Sequence, residues 1–209
     1  MNEYINEIFL KLLENNPNPV CELDYVNDYT FLVAIVLSAQ TTDKGVNKAT
    51  QSLFQKVDNP YDMIALGEEG LKHYIKSIGL YNNKAKFIMN LSKDLIEKHN
   101  GKVPVDFEKL NKLQGVGRKT AKVFLNSAYD FPLIAVDTHV FRVSNRLKIA
   151  EGKNVETVEK NLEKNVPSKY KTKAGHLLVL HGRYVCLAKK PKCEECVLKG
   201  ICPSLNDFV

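Results

Sequence analysis

No stretch of this sequence is apolar enough to cross a bilayer. The longest run without a charged side chain, residues 29–42, is interrupted by Ser38, Gln40 and Thr41, whereas a spanning helix needs roughly 20 mostly apolar residues. The N-terminal MNEYINEIFLKLLENN lacks the basic start, apolar centre and small-residue cleavage site of a secretory signal. Alternating apolar–polar runs of useful length are missing, which argues against a fold built on strands. Internal repeats and low-complexity tracts are missing too. These absences point to a cytoplasmic globular protein, and no surplus hydrophobic stripe calls for a second copy, so a monomer is expected. In a reducing cytosol, clustered cysteines more often bind metal than form disulfides.

What is present fits that picture. The 209 residues suit one two-lobed domain or two small ones sharing a cleft. Hydrophobic residues make up 44% and charged residues 26%, the balance of a chain that buries a core. Thirty basic residues against 24 acidic ones give a net charge of +6, which permits a polyanionic partner without demanding one. The distribution says more. Between 109 and 122 lie Lys109, Lys112, Arg118, Lys119 and Lys122 and no acid. Between 183 and 200 lie Arg183, Lys189, Lys190, Lys192 and Lys199 against Glu194 and Glu195.

Helical periodicity dominates, and the fold class is all-α. Ile5, Ile8, Phe9, Leu12 and Leu13 share one face of a first helix. FLVAIVL at 31–37, with polar extensions on both sides, reads as a buried helix of about 12 residues. Asp43 is expected to cap a helix over 44–56. After a segment near 61–76, helices are further expected near 83–99, from Asp106 to Lys112, and near 118–128, 138–148, 154–165 and 170–182. Leu80, among Ile78 and Tyr81, reads locally as a core leucine.

Five cysteines occur, and Cys21 stands alone as a small buried hydrophobe. Cys186, Cys193, Cys196 and Cys202 fall inside 17 residues. Close-set loops bring four soft ligands together at little closure cost. A four-cysteine zinc site and an iron–sulfur cluster both satisfy this spacing. The intervening Lys189, Lys190 and Lys192 would project from a loop pinned by metal, in reach of phosphate.

Two further segments carry chemistry. In Leu113-Gln114-Gly115-Val116-Gly117-Arg118-Lys119-Thr120, Gly115 and Gly117 allow a tight turn, and the start of the next helix suits a phosphate. A nucleotide-binding P-loop is excluded, because Arg118 stands where its second glycine belongs. Lys119 is either a phosphate contact or a nucleophile. As a nucleophile it must shed a proton against a reference pKa of about 10.4, helped by desolvation, the helix terminus and neighbouring cations. In Val136-Asp137-Thr138-His139-Val140-Phe141-Arg142, Asp137 suits a helix cap, and a carboxylate there also suits stabilisation of developing sugar cation charge. His139 alone reads as a surface or packing residue.

Taken in order, these motifs resemble the endonuclease III family. The glycine segment is similar to its helix-hairpin-helix, usually written LPGVGRKTA, with Gln114 here in place of proline. The aspartate segment is similar to VDTHVxR, and the cysteines follow C-x6-C-x2-C-x5-C. Residues 37–43, Ile78-Gly79-Leu80-Tyr81 and Leu180-His181-Gly182-Arg183-Tyr184 extend the likeness over nearly the whole chain.

The resemblance implies a two-lobed glycosylase fold. A six-helix lobe would span 22–132, with the helix-hairpin-helix near 107–126. A second lobe would join 1–21 to 133–209 and carry the cluster loop 186–202. It also implies a [4Fe–4S] cluster on the four cysteines and Lys119 and Asp137 as the catalytic pair. DNA contacts would come from Gly115, Gly117, Arg118, His139, Lys189, Lys190 and Lys192. Gln40 and Leu80 would fill the gap left by an extruded base. The implied partner is double-stranded DNA with damaged pyrimidines or abasic sites. The implied activity is a bifunctional base-excision glycosylase that cuts the abasic site by β-elimination through a lysine Schiff base. Three alternatives compete. A monofunctional adenine-type mismatch glycosylase generally lacks the lysine and carries an extra C-terminal domain. A non-catalytic DNA-binding module would be expected to lack Lys119 or Asp137, and a zinc-stabilised nuclease would be colourless.

Overall fold

The computed structural model describes residues 2–208. Among them ten α-helices and four single-turn 3-10 helices follow one another, and no strand occurs. The chain divides into two compact units, Glu22–Tyr129 and Met1–Cys21 with Asp130–Val209.

The Glu22–Tyr129 unit holds α2 (Asp28–Leu37), α3 (Asp43–Thr50), α4 (Pro60–Ile75), α5 (Tyr81–His99), α6 (Phe107–Asn111) and α7 (Arg118–Tyr129). Helix α2 is its centre. Tyr29 to Leu37 are all buried, as expected of a helix apolar on every side. Asn27 starts it with a capping box: its side chain accepts from the Thr30 amide at 3.0 Å, and its own amide donates to Thr30 Oγ1 at 2.9 Å. Around it pack α3, α5 and α7, and α4 lies along α5.

Local chemistry moves several boundaries. Thr42, not Asp43, caps α3, accepting from the Gly45 amide at 3.2 Å, and the helix ends at Thr50 instead of running to 56. Helix α4 is broken at Gly67 (φ 74°, ψ 167°), conformations that only glycine adopts readily. Leu80 is no core residue: it is 59% exposed, with φ 59°.

The other unit holds α1 (Asn2–Asn15), α8 (Thr138–Arg146), α9 (Val155–Asn165) and α10 (Lys171–Tyr184). Ile5, Ile8, Phe9 and Leu12 of α1 join Val140, Val143, Leu162 and Leu178 in one core. Phe9 stacks on Tyr170 with ring centroids 5.4 Å apart. Helices α8 and α10 cross closely at Gly182, where an added Cβ would stand 2.9 Å from that of His139. Cys21 is half-buried instead of enclosed.

Candidate nucleic-acid interface and cluster site

The glycine turn is built from inside out. Leu113 and Val116 are buried while Gly115, Gly117, Arg118 and Lys119 between and after them are exposed. Two apolar anchors therefore hold the turn down and leave its backbone facing solvent. Gly115 sits at φ 76°, and a Cβ there would lie 2.8 Å from Cβ of Phe87. Both the left-handed conformation and the close approach require glycine. Arg118 braces the turn, its guanidinium 5.4 Å from the Phe107 ring at the start of α6. Lys119 stands exposed on the first turn of α7, at the positive end of the helix dipole. Lys122, which the sequence groups with the surface cations, is 4% exposed. The exposed cationic set is Lys109, Lys112, Arg118 and Lys119.

In the same unit, Gln40 and Leu80 are both exposed and both hold positive φ, 56° and 59°. Side chains other than glycine rarely occupy that region, and two such residues on neighbouring loops mark a constrained feature.

The other unit carries Asp137 and the cysteines. Asp137 caps α8, its Oδ1 accepting from the amides of His139 and Val140, each at 2.8 Å. Capping thus fixes the carboxylate's direction, whatever else it does. Arg142, one turn along, has its Nη2 3.3 Å from His139 Nδ1 and donates to the Gly182 carbonyl at 2.7 Å. Its Nε donates to the Cys186 carbonyl at 3.1 Å. Burial lowers the Arg142 pKa from its ordinary value, with the Cys186 sulfur opposing.

Arg146, a further turn on, does the same for the cysteine loop. It donates to the Leu187 and Ala188 carbonyls at 2.7 and 3.0 Å and to Cys186 Sγ at 3.4 Å. Its guanidinium lies 4.3 Å from the Phe208 ring. Sequence reasoning assigned neither arginine a role. Their spacing of four along one helix was the available signal, since it sets both on the face turned to the loop.

The four cysteines line one cavity of about 410 Å³, its open mouth included, together with Leu147, His181, Leu205 and Phe208. No three His, Cys, Asp or Glu side chains among the described residues gather closely enough to share one ion. The donor set fits an iron–sulfur cluster: four soft ligands, an apolar surround, and N–H groups aimed at sulfur. Besides Arg146, the Leu198 amide donates to Cys196 Sγ at 3.4 Å, and the Ser204 amide donates to Cys202. Burial and mutual repulsion raise the Cys196 and Cys202 thiol pKa values, a cost that coordination to iron would offset. His181, with Nε2 3.7 Å from Cys196 Sγ, is held neutral by burial, its pKa pushed down to about 4. Lys189, Lys190 and Lys192 project exposed from the loop, and Lys190 takes φ 51°.

The structure thus gathers the four cysteines, ties Asp137 and His139 to the helix that anchors them, and leaves Lys119 in the other unit with the glycine turn.

Comparison with known proteins gives the family. Residues 33–168 match the family model described as the HhH-GPD superfamily base excision DNA repair protein. Residues 186–202 match the iron-sulfur binding domain of endonuclease III. The chain is 53% identical to endonuclease III of Haemophilus influenzae over 196 residues, covering 94% of this chain and 93% of that one. It is 52% identical to endonuclease III of Escherichia coli K12 with the same coverage. Among solved structures, a trapped endonuclease III–DNA covalent intermediate superposes with a TM-score of 0.93 at 43% identity, covering 99% and 98% of the two chains. A thermostable thymine-DNA glycosylase shares the fold at TM-score 0.87 and 23% identity.

Proposed function

From the premise that this chain belongs to the endonuclease III family, we propose that Lys119 and Asp137 are the catalytic residues of a DNA-repair enzyme acting on oxidised pyrimidines. The chain is a bifunctional base-excision enzyme, a DNA glycosylase with abasic-site lyase activity, and it carries a [4Fe–4S] cluster. The observation that carries the residue assignment is an exposed lysine on the first turn of α7, directly behind a glycine turn whose backbone faces solvent.

Duplex DNA lies against that turn through phosphate contacts at Gly115, Gly117 and Arg118, and against the cluster loop through Lys189, Lys190 and Lys192. Cys186, Cys193, Cys196 and Cys202 would hold the cluster, which would fix the shape of the lysine loop. The damaged base is extruded, Gln40 and Leu80 occupy the gap, and His139 lies near the strand. The neutral amine of Lys119 then bonds to C1′, and the glycosidic bond breaks with its electron pair leaving on the base, which takes up a proton. Asp137 stabilises the developing positive charge at the sugar. The ring opens to a Schiff base, C2′ loses a proton, and the 3′ phosphate departs. The protein works as a monomer, and its location is cytoplasmic, beside the DNA. No helix among the described residues is long and apolar enough to cross a membrane.

A duplex with one oxidised pyrimidine tests the reading. Base release followed by a break 3′ to the lesion is expected. Base release with an intact strand would instead identify a monofunctional glycosylase, and binding without either would leave a DNA-binding module.

A further inference from the structure

Lys84, the fourth residue of α5, is 4% exposed. No carboxylate accepts from its ammonium in these contacts. Its Nζ donates to the Leu37 carbonyl at 2.9 Å, the Ala39 carbonyl at 2.6 Å and Thr41 Oγ1 at 3.0 Å. Three acceptors use all three protons of the ammonium group. Leu37 is the last residue of α2, so the cation also meets the negative end of that helix dipole. Burial still lowers the Lys84 pKa.

The acceptors bracket Gln40. One lies on Ala39, immediately before it, and one on Thr41, immediately after it. The Lys84 amide meanwhile donates to the Leu80 carbonyl at 3.1 Å, closing the first turn of α5 behind Leu80. One residue therefore grips both loops, the first by its side chain and the second by its backbone. Gln40 and Leu80 are also the residues held at φ 56° and 59°. A hydrophobe of similar size would pack in the core without the desolvation cost, but it would release the Ala39–Thr41 segment from α5.

We propose that Lys84 is a positioning residue for strand opening: it sets the distance and direction of Gln40 relative to Leu80, so that both enter the duplex together. The inference rests on the reading above that these two side chains fill the gap beside the extruded nucleotide. Lys84 touches no DNA in this scheme and acts only through the two loops.

The test uses cluster-loaded protein and two substrates. One is a duplex with 2-aminopurine beside a single abasic site, whose fluorescence reports unstacking. The other is an abasic single strand, where no stack must be opened, assayed by borohydride trapping. Lys84→Met is expected to lower the ratio of duplex opening rate to single-strand trapping rate about tenfold. Thr41→Val, which keeps the lysine and removes one acceptor, is expected to lower it about threefold. Gln40→Ala added to Lys84→Met changes little further, because the loop is already misplaced. A ratio that stays constant while both rates fall, or additive effects of the Lys84 and Gln40 changes, overturns the proposal and makes Lys84 a helix cap only. If Lys84→Met loses cooperative unfolding, Thr41→Val carries the same comparison. An unchanged duplex signal in Gln40→Ala and Leu80→Ala alone would remove the gap-filling reading, and this inference with it.

Discussion

The glycine turn before α7 and the cysteine loop after α10 both present cations to solvent, but they are held in shape by different forces. The turn is anchored by buried Leu113 and Val116 and by the backbone geometry of Gly115. The cysteine loop has little of its own to bury. From 186 to 202, Leu198 alone is buried, and the segment otherwise consists of 3-10 turns and bends. Its carbonyls are held instead by Arg142 and Arg146, and its sulfurs by N–H donors. A hydrophobic anchor is non-directional and stays with the chain, whereas a ligand-organised loop depends on a group that binds and leaves. The first region is expected to survive loss of iron, and the second is not.

The largest test of that contrast is removal of a ligand. Cys193→Ala is expected to abolish the visible absorbance of the cluster and to weaken duplex binding at least about a hundredfold, roughly 2.7 kcal/mol. Hydrogen exchange should show α7 amides still protected while residues 186–202 exchange freely. Loss of protection in both regions would merge the two modes of stabilisation. Next comes Gly115→Ala, which strains a left-handed position and drives Cβ toward Phe87. A loss of about 2 kcal/mol in urea unfolding is expected, partly recovered by Phe87→Ala, with cluster absorbance unchanged.

Arg146→Met removes two carbonyl bonds, one bond to sulfur and the contact with Phe208. It should raise the rate of iron release to a chelator about tenfold, close to 1.4 kcal/mol, and leave the glycine turn intact. The smallest effect is expected at the loop's surface. Lys189→Ser and Lys192→Ser should change stability by less than about 0.5 kcal/mol. Each lost phosphate contact should flatten the salt dependence of DNA binding by about 0.9 in log–log slope.

The same contrast explains what the sequence made legible. The cysteine spacing, the glycine pair and the caps at Asp106 and Asp137 are local patterns, and each carries its chemistry within a few residues. Tertiary facts were harder to see. Leu80 reads as core because apolar neighbours surround it, yet its left-handed backbone turns it outward. Lys122 reads as one of a run of solvated charges because periodicity counts lysine as polar, yet it and Lys84 are buried. No local pattern gave Arg142 or Arg146 a partner. Only the fold reveals the loop whose carbonyls they hold. Thr42 displaced Asp43 as the cap of α3 because either residue type suits the position, and geometry chose between them.

Lys119 is the proposed nucleophile of this bifunctional enzyme. Borohydride reduction during reaction with a duplex carrying one abasic site tests it directly, with the unchanged protein beside Lys119→Gln. A covalent protein–DNA adduct from the unchanged protein alone, mapped by peptide mass to Lys119, is the predicted result. No adduct from well-folded, cluster-loaded protein, or an equal adduct from Lys119→Gln, would contradict it.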